Sequence, residues 1–181
     1  MPCWHFDDPQ VPASSLKLEK SFHNILSFSE EMEVHGSKPG SEVLAFEIVL
    51  PEPKVAEALW LAGHEKVIRL QRIRLADYLP MGVECSFLWA RLFPDLLRRF
   101  DPRTSLYRTL AYLYGMQVAA VDEVVEAGLA SPEQAQLLQI SEGGPIFIFS
   151  RTSYIHSGQA VEYVESFYRA DRYKIVHRLK Q

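Results

Sequence analysis

One segment of the chain, residues 67–75, restricts the possible folds more than any other. Its sequence is VIRLQRIRL, and side chains alternate between the two faces of a strand. The face that begins with the apolar Ile68 and Leu70 therefore ends in two guanidinium groups. These belong to Arg72 and Arg74, and because like charges repel, they need an anionic partner or solvent. The segment predicts a strand with one face that is apolar at one end and basic at the other.

Two interpretations of this arginine pair are open from the residues alone. In the first, Arg72 and Arg74 are structural and pair with Glu84 and other acids on neighbouring strands. In the second, they bind a small anion, because a guanidinium presents a planar fork of donors that suits phosphate or carboxylate. A duplex footprint needs a larger basic cluster, and the formal net charge of −4 also argues against a nucleic-acid surface.

The rest of the chain predicts an antiparallel sheet with helices packed on it, an α+β fold. Short turns join two pairs of strand-like segments, and this spacing is typical of hairpins. The predicted strands are 42–50, 67–75, 82–89, 118–129, 145–156, 159–169 and 173–179. The predicted helices begin at Ser27, Val55, Phe93, Thr104 or Ser105, and Ser131, and three of them end at Gly36, Gly63 and Gly115.

The length of 181 residues fits one domain with an arm, and such a domain can bury a sizeable core. Residues 1–20 carry three prolines and no period, so they predict a linker, with the domain at 21–181. Cys3 and Cys85 are far apart, which favours a reducing compartment. Without a signal sequence or a long apolar run, we expect a cytoplasmic protein that does not enter a membrane.

The common catalytic signatures are absent from the sequence. There is no Walker loop, GxGxxG, GxSxG or HExxH motif, and the six histidines show no spacing typical of a metal site. Cys85 lies in an apolar segment, where a buried inert thiol is expected. We therefore expect no catalysis, no metal ion and no cofactor.

The segment 162–168 is a second candidate for ligand contact. Glu162 and Tyr168 share one strand face with Val164 and Ser166, and a carboxylate with a phenol can hold sugar or amide groups by hydrogen bonds. The alternative is a solvated strand face.

Two predicted helix starts are further candidates. Ser105 and Tyr107 open one helix, and Phe28 and Ser29 open another, where free N–H groups and the helix dipole favour an anion. The alternative in both places is simple capping of the helix.

In their order and spacing, these residues resemble the UTRA domain, the effector-binding half of HutC-subfamily GntR-type transcription regulators. The resemblance covers about residues 22–180. It is carried by LSFSEEM at 26–32, with Gly36 and PGS at 39–41, RIRLAD at 72–77, PMGVE at 80–84, SLY at 105–107, VEY at 161–163 and SFYRADRY at 166–173.

The resemblance implies a fold like that of chorismate lyase and a small-molecule effector. Known effectors of the family include phosphorylated amino sugars, other sugar phosphates, histidine-pathway metabolites and fatty acids. In members that bind sugar phosphates, residues matching Arg72 and Arg74 hold the anion with help from those matching Ser29, Ser105 and Tyr107. In the same members, residues matching Glu84, Glu162 and Tyr168 contact the sugar. We therefore expect a phosphorylated sugar or amino sugar, with a carboxylate ligand as the alternative.

The resemblance also implies partners that the chain itself does not supply. Such regulators begin with a basic winged helix, which has no match here, so we expect DNA binding only through a missing N-terminal domain of the parent protein. A fragment or a stand-alone sensor would both fit. The family tends to form homodimers through this domain. The rival hypotheses are an enzyme resembling chorismate lyase and a dimerisation module that binds no ligand.

Overall fold

A six-stranded sheet forms the centre of the fold in the computed structural model, which describes residues 17–21 and 25–176. The strands are β1 (Leu18–Ser21), β2 (Pro39–Val49), β3 (Val67–Ala76), β4 (Leu79–Trp89), β5 (Ala120–Leu129), β6 (Pro145–Tyr154), β7 (Ala160–Arg169) and β8 (Tyr173–Val176). The helices are α1 (Phe28–Val34), α2 (Pro53–Ala58), α3 (Leu96–Arg99), α4 (Leu106–Tyr114) and α5 (Pro132–Leu138). The large sheet is antiparallel, in the order β2-β3-β4-β7-β6-β5. The predicted α+β class is confirmed.

Both predicted hairpins are present. Asp77 and Tyr78 join β3 to β4 with φ of 49° and 68°, the left-handed conformation that tight hairpin turns require. Gly158, with φ of 82°, lies in the turn between β6 and β7. These turns fix the register of four strands of the sheet.

The helix ends follow the capping residues of the sequence. Ser27 and Glu30 form a capping box at α1, and Ser131 and Gln134 form one at α5. Ser105 caps the start of α4, and Gly115 ends that helix with φ of 62°. Each cap satisfies backbone groups that the first or last helical turn leaves unpaired.

Two apolar clusters lie on one face of the sheet, which we call the cavity face. At one end α4 and α3 pack on β3 and β4, where Leu70, Leu88 and Leu106 are buried. At the other end α1 and β8 pack near Phe149 and Tyr168. Helices α2 and α5 pack on the opposite face. The space between the two clusters on the cavity face is lined by polar side chains.

The structure differs from the predicted arm at the arm's end. Residues 1–16 lie outside the described residues, but Leu18–Ser21 forms β1, which pairs in parallel with β8. A four-residue strand has too few positions to show a period, so its sequence did not indicate it. The last predicted strand is described as Tyr173–Val176, and its remaining residues lie outside the described part.

The helices also differ in length from the predictions. Helix α2 begins two residues before Val55, because Pro53 fits the first helical turn. Only Leu96–Arg99 of the predicted helix 93–100 is α-helical, preceded by a 3-10 turn at Ala90–Leu92. Within residues 17–21 and 25–176, no helix has the length and apolar character needed to cross a membrane.

Gly82 is expected to tolerate no side chain, because the ring of Tyr168 lies across it from the neighbouring strand. A Cβ at Gly82 would lie 2.5 Å from Cδ1 of Tyr168. We expect Gly82→Ala to displace the ring and lower the free energy of unfolding by about 1–3 kcal/mol, measured by urea denaturation. Gly63→Ala is the matched control, because a Cβ there meets nothing within 4 Å. Equal loss in both variants would contradict this account of Gly82.

Candidate functional site

A polar cavity on the cavity face lies between the two apolar clusters. It encloses about 530 Å³ of space when the solvent in its open mouth is included. Eight of the nine sequence-predicted residues line it: Ser29, Arg72, Arg74, Glu84, Ser105, Tyr107, Glu162 and Tyr168. The other lining residues are Lys20, Ser27, Ser86, Leu106, Glu123, Phe149, Arg151, Val164 and Ser166. The fold therefore brings together side chains from five strands of the large sheet, from β1, and from the regions of two helices.

A buried ion cluster forms the floor of the cavity on β3 and β4. Arg72 lies directly opposite Glu84 in the strand register. Oε2 of Glu84 is 3.6 Å from Nη2 of Arg72 and 3.2 Å from Nε of Arg74. The arginine side chains are only 4% and 2% exposed. The structural pairing considered above is therefore present, but one carboxylate faces two guanidiniums, and a positive charge remains.

The pKa values of this cluster follow from burial and from the shared charge. Burial, and then the neighbouring Arg74, lower the pKa of Arg72 to about 10. Burial alone would raise the pKa of Glu84, but Arg74 and Arg72 outweigh it and hold that pKa below its usual range. The hydroxyl of Tyr168 donates to Oε1 of Glu84 at 2.7 Å. Glu84 is therefore held as an ionised acceptor.

Other contacts fix the direction of the two guanidiniums. Nη1 of Arg72 donates to the carbonyl of Thr104 at 3.1 Å, next to the start of α4. Arg74 donates to Oγ of Ser41 at 2.6 Å and to Oγ of Ser29 at 3.4 Å. The buried Nε of Arg72 has no hydrogen-bond partner among the described residues. An anion near Arg72 would meet donors that the protein only partly satisfies.

Phe28 lies beneath one of these arginines rather than in the cavity wall. Its ring centroid is 4.4 Å from Cζ of Arg74, a cation–π contact. The ring also stacks against Tyr168. Phe28 therefore contacts Arg74 and Tyr168 and does not line the cavity, whereas the other eight predicted residues do.

The start of α4 faces the cavity beside Arg72. Ser105 is the N-cap, and its hydroxyl accepts from the N–H of Arg108 at 3.4 Å. Leu106 and Tyr107, in the first turn, line the cavity. First-turn N–H groups lack partners within the helix, and the helix dipole adds partial positive charge there. Capping is thus present at this helix start, and its first-turn N–H groups add partial positive charge beside Arg72.

Glu162 lies at the other end of the same strand from Tyr168 and is 2% exposed. Its Oε2 accepts from the hydroxyl of Tyr107 at 2.9 Å and from that of Ser153 at 3.2 Å. Burial raises the pKa of Glu162, and hydrogen bonds from Tyr107 and Ser86 oppose this only in part. Burial, followed by the charge of Glu162, likewise raises the pKa of Tyr107.

Three further charged residues line the cavity and were not predicted from the sequence: Lys20, Glu123 and Arg151. Nε of Arg151 donates to Oε1 of Glu123 at 2.7 Å, and Nζ of Lys20 lies 3.5 Å from the same oxygen. Arg151 follows Phe147 and Phe149 at alternate positions, the same apolar-then-basic pattern that was visible on β3. Lys20 gave no such signal, because the short strand that carries it was not predicted.

Residues 35–174 match the UTRA domain family, and the chain belongs to that family. The transcriptional repressor NagR of Bacillus subtilis is 29% identical over 164 residues, covering 91% of this chain and 67% of NagR. The mannosyl-D-glycerate transport/metabolism system repressor MngR of Escherichia coli is 25% identical over 150 residues, covering 83% of this chain and 62% of MngR. The chain thus spans less than two thirds of MngR, and each relative has a part outside the match.

The fold also matches that of a solved effector domain. The effector domain of PhnF from Mycobacterium smegmatis superimposes with a TM-score of 0.84 and 24% sequence identity, covering 90% of this chain and 99% of that domain. At this level of identity the likeness shows the shared fold.

The raised pKa of Glu162 predicts how its replacement changes stability with pH. A carboxyl whose pKa is raised by folding stabilises the native state at low pH, and this contribution is lost as pH rises through the native-state pKa. Glu162→Gln keeps an acceptor for Tyr107 and Ser153 without the charge. We therefore expect its free energy of unfolding, relative to the unmodified chain, to increase between pH 4 and pH 8, measured by urea denaturation.

The control for this prediction is Glu126→Gln on β5, where the side chain is exposed and water solvates the carboxylate in both states. Its stability relative to the unmodified chain should change much less over the same pH range. A Glu162→Gln variant that loses relative stability as pH rises would contradict the proposed cost of charging Glu162.

Proposed function

We propose that this domain senses a small anionic metabolite, with a phosphorylated sugar or amino sugar favoured, and thereby controls DNA binding by the regulator to which it belongs. One observation carries the proposal: two buried guanidiniums share a single carboxylate beside the start of a helix, in a polar cavity that is open to solvent. An anion is the ligand that best compensates this arrangement.

The charges that line the whole cavity support an anionic ligand. Four of the lining residues are cationic, namely Lys20, Arg72, Arg74 and Arg151, and three are carboxylic acids, namely Glu84, Glu123 and Glu162. The lining therefore carries a surplus of one positive charge with all three acids ionised. Burial raises the pKa of Glu162, which favours its protonated form. Protonation of Glu162 removes a negative charge and so increases the surplus of positive charge. In a site of low effective dielectric constant, this surplus favours anions over neutral sugars.

The uncharged groups of the cavity suit a sugar. Ser86, Ser166 and Tyr168 supply hydroxyl groups, and Glu84 and Glu162 supply acceptors. Sugar hydroxyls donate and accept hydrogen bonds, so a mixed lining of this kind can hold several of them. The relative MngR is named for a system that handles mannosyl-D-glycerate, a compound that combines a sugar with a carboxylate.

The proposed regulatory role is supported by the relatives, which are named as transcriptional repressors. The parts of NagR and MngR outside the match are long enough for a further domain. We propose that DNA contact is made by such a domain and that the effector changes its affinity for DNA. An effector can shift the populations of two conformations only by as much as its affinities for the two conformations differ.

The test is isothermal titration calorimetry of the chain with glucosamine 6-phosphate, N-acetylglucosamine 6-phosphate, glucose 6-phosphate, urocanate and inorganic phosphate. We expect at least one sugar phosphate to bind. Arg72→Met should weaken that binding about tenfold or more, since a hydrogen bond to a charged group contributes roughly 1.5–3 kcal/mol. Arg74 still pairs with Glu84 in this variant, so the buried carboxylate keeps a partner.

Arg69→Met is the matched control, because Arg69 belongs to the same strand but is partly exposed on the opposite face and pairs with Glu47. It should bind as the unmodified chain does. Binding of urocanate without binding of any sugar phosphate would contradict the proposed ligand class. Binding of a sugar phosphate by the Arg72→Met variant as tightly as by the unmodified chain would contradict the proposed anion site. Conversion of the bound compound, followed by NMR, would show an enzyme instead of a sensor.

A further inference from the structure

A second pair of cations lines the cavity, on the side opposite Arg72 and Arg74. Arg151 extends from β6 and Lys20 from β1, and their side chains are 16% and 13% exposed. Strands β4 and β7 lie between β3 and β6. Three strand spacings, roughly 14 Å, therefore separate the backbone positions of the two arginine-bearing strands. The long side chains reach inward from both sides.

The second pair repeats the charge pattern of the first. Arg151 places both Nε and Nη2 2.7 Å from Oε1 of Glu123, and Nζ of Lys20 lies 3.5 Å from the same oxygen. Two cations again share one carboxylate, and a positive charge remains. Burial first, and then the charge of Arg151, lower the pKa of Lys20, which agrees with a cation that one carboxylate does not fully compensate.

Other groups near Lys20 compensate this surplus only in part. Nζ of Lys20 lies 4.4 Å above the centroid of the Phe149 ring, a weaker attraction than an ion pair. Glu31 is the other nearby acid. The hydroxyl of Tyr173 donates to Glu31. Burial raises the pKa of Glu31, and the charge of Lys20 opposes this rise only in part. Glu84 is paired with Arg72 and Arg74 on the other side of the cavity.

The middle of the cavity floor contains one acid, Glu162, and burial raises the pKa of this residue, which favours its neutral form. Ser86, Val164 and Ser166 lie between the two cationic pairs, and the hydroxyl of Tyr107 reaches across to Glu162. A ligand with one acidic group can compensate only one of the two pairs. A ligand with an acidic group at each end can compensate both, while its hydroxyl groups meet the polar middle.

We infer that the cavity takes a ligand with two acidic groups, a phosphate beside Arg72, Arg74 and the start of α4, and a carboxylate beside Lys20 and Arg151. This inference rests on the proposed function and narrows its ligand class to acidic sugar phosphates. The assignment of the groups follows from charge. The α4 end adds the partial positive charge of a helix start to the surplus of its arginine pair and suits a dianion, whereas the Lys20 end suits a single negative charge.

The experiment compares two pairs of compounds that differ only in a carboxylate. Glucose 1-phosphate and glucuronic acid 1-phosphate share a ring, and glucitol 6-phosphate and 6-phosphogluconate share an open chain. In each pair the second compound has a carboxylate in place of the CH₂OH at the end remote from the phosphate. We expect the carboxylate to tighten binding about tenfold or more in at least one pair, measured by calorimetry.

Variants at Lys20 test whether the gain comes from the second subsite. Lys20→Met retains an unbranched side chain over Phe149 and leaves Glu123 paired with Arg151, so we expect the fold to persist and the carboxylate gain to disappear. Lys20→Arg should retain the gain. Lys174→Met is the matched control, because Lys174 pairs with Glu19 in the same small sheet and does not line the cavity. It should also retain the gain.

The possible outcomes separate this inference from the proposed function. Phosphosugar binding without any gain from the carboxylate, or a gain that survives Lys20→Met, overturns the second subsite and leaves the sensor proposal standing. Failure of all four compounds and of the earlier sugar phosphates to bind overturns both. Loss of the gain in the Lys174→Met variant as well would show an effect on folding and overturn the role given to Lys20.

Discussion

The shared carboxylate of Glu84 is the interaction on which the cavity depends. Two guanidiniums that are 4% and 2% exposed could not be buried without an acid between them, since an unpaired buried charge costs several kcal/mol. The strand register places that acid directly opposite Arg72, and the hydroxyl of Tyr168 holds its second oxygen. A one-residue slip of β4 would turn Glu84 to the opposite face, so the ion cluster and the sheet register support each other.

The charged residues of the cavity floor, Arg72, Arg74, Glu84 and Glu162, cannot be covered by apolar side chains. This explains the position of the cavity on the sheet. Helices α3 and α4 pack on Leu70 and Leu88 at one end of the sheet face. Helix α1 and strand β8 pack on Phe149 and Tyr168 at the other end. Any apolar side chain placed over the charged residues between them would desolvate charges without replacing their lost hydrogen bonds. The helices therefore stop at the two ends and form the walls of the site.

The sequence predicted the face on which each site residue lies, because alternation along a strand is local information. It predicted the two hairpins, β3–β4 and β6–β7, but not how these hairpins lie beside each other or beside β1, β2 and β5. The contact of Glu162 with Ser153 follows from the β6–β7 register, which pairs the two residues, but its contact with Tyr107 depends on the packing of α4. Lys20 depends on the pairing of β1 with β8, across some 150 residues of chain. Arg151, in contrast, could have been found, since its strand shows the same pattern as β3.

The walls and the floor of the cavity are held by interactions of different strength. The floor consists of strands joined by continuous ladders of hydrogen bonds, which open only with much of the fold. Helices α1 and α4 meet above it through Arg108 and Glu33, an exposed ion pair with Nη1 and Oε1 at 2.9 Å, and such pairs are weak because water screens them. A ligand that contacts both walls would therefore compete with this weak contact rather than with the hydrogen bonds of the sheet. The relative position of α1, α4 and β1 is the part of the structure that an effector can alter most easily.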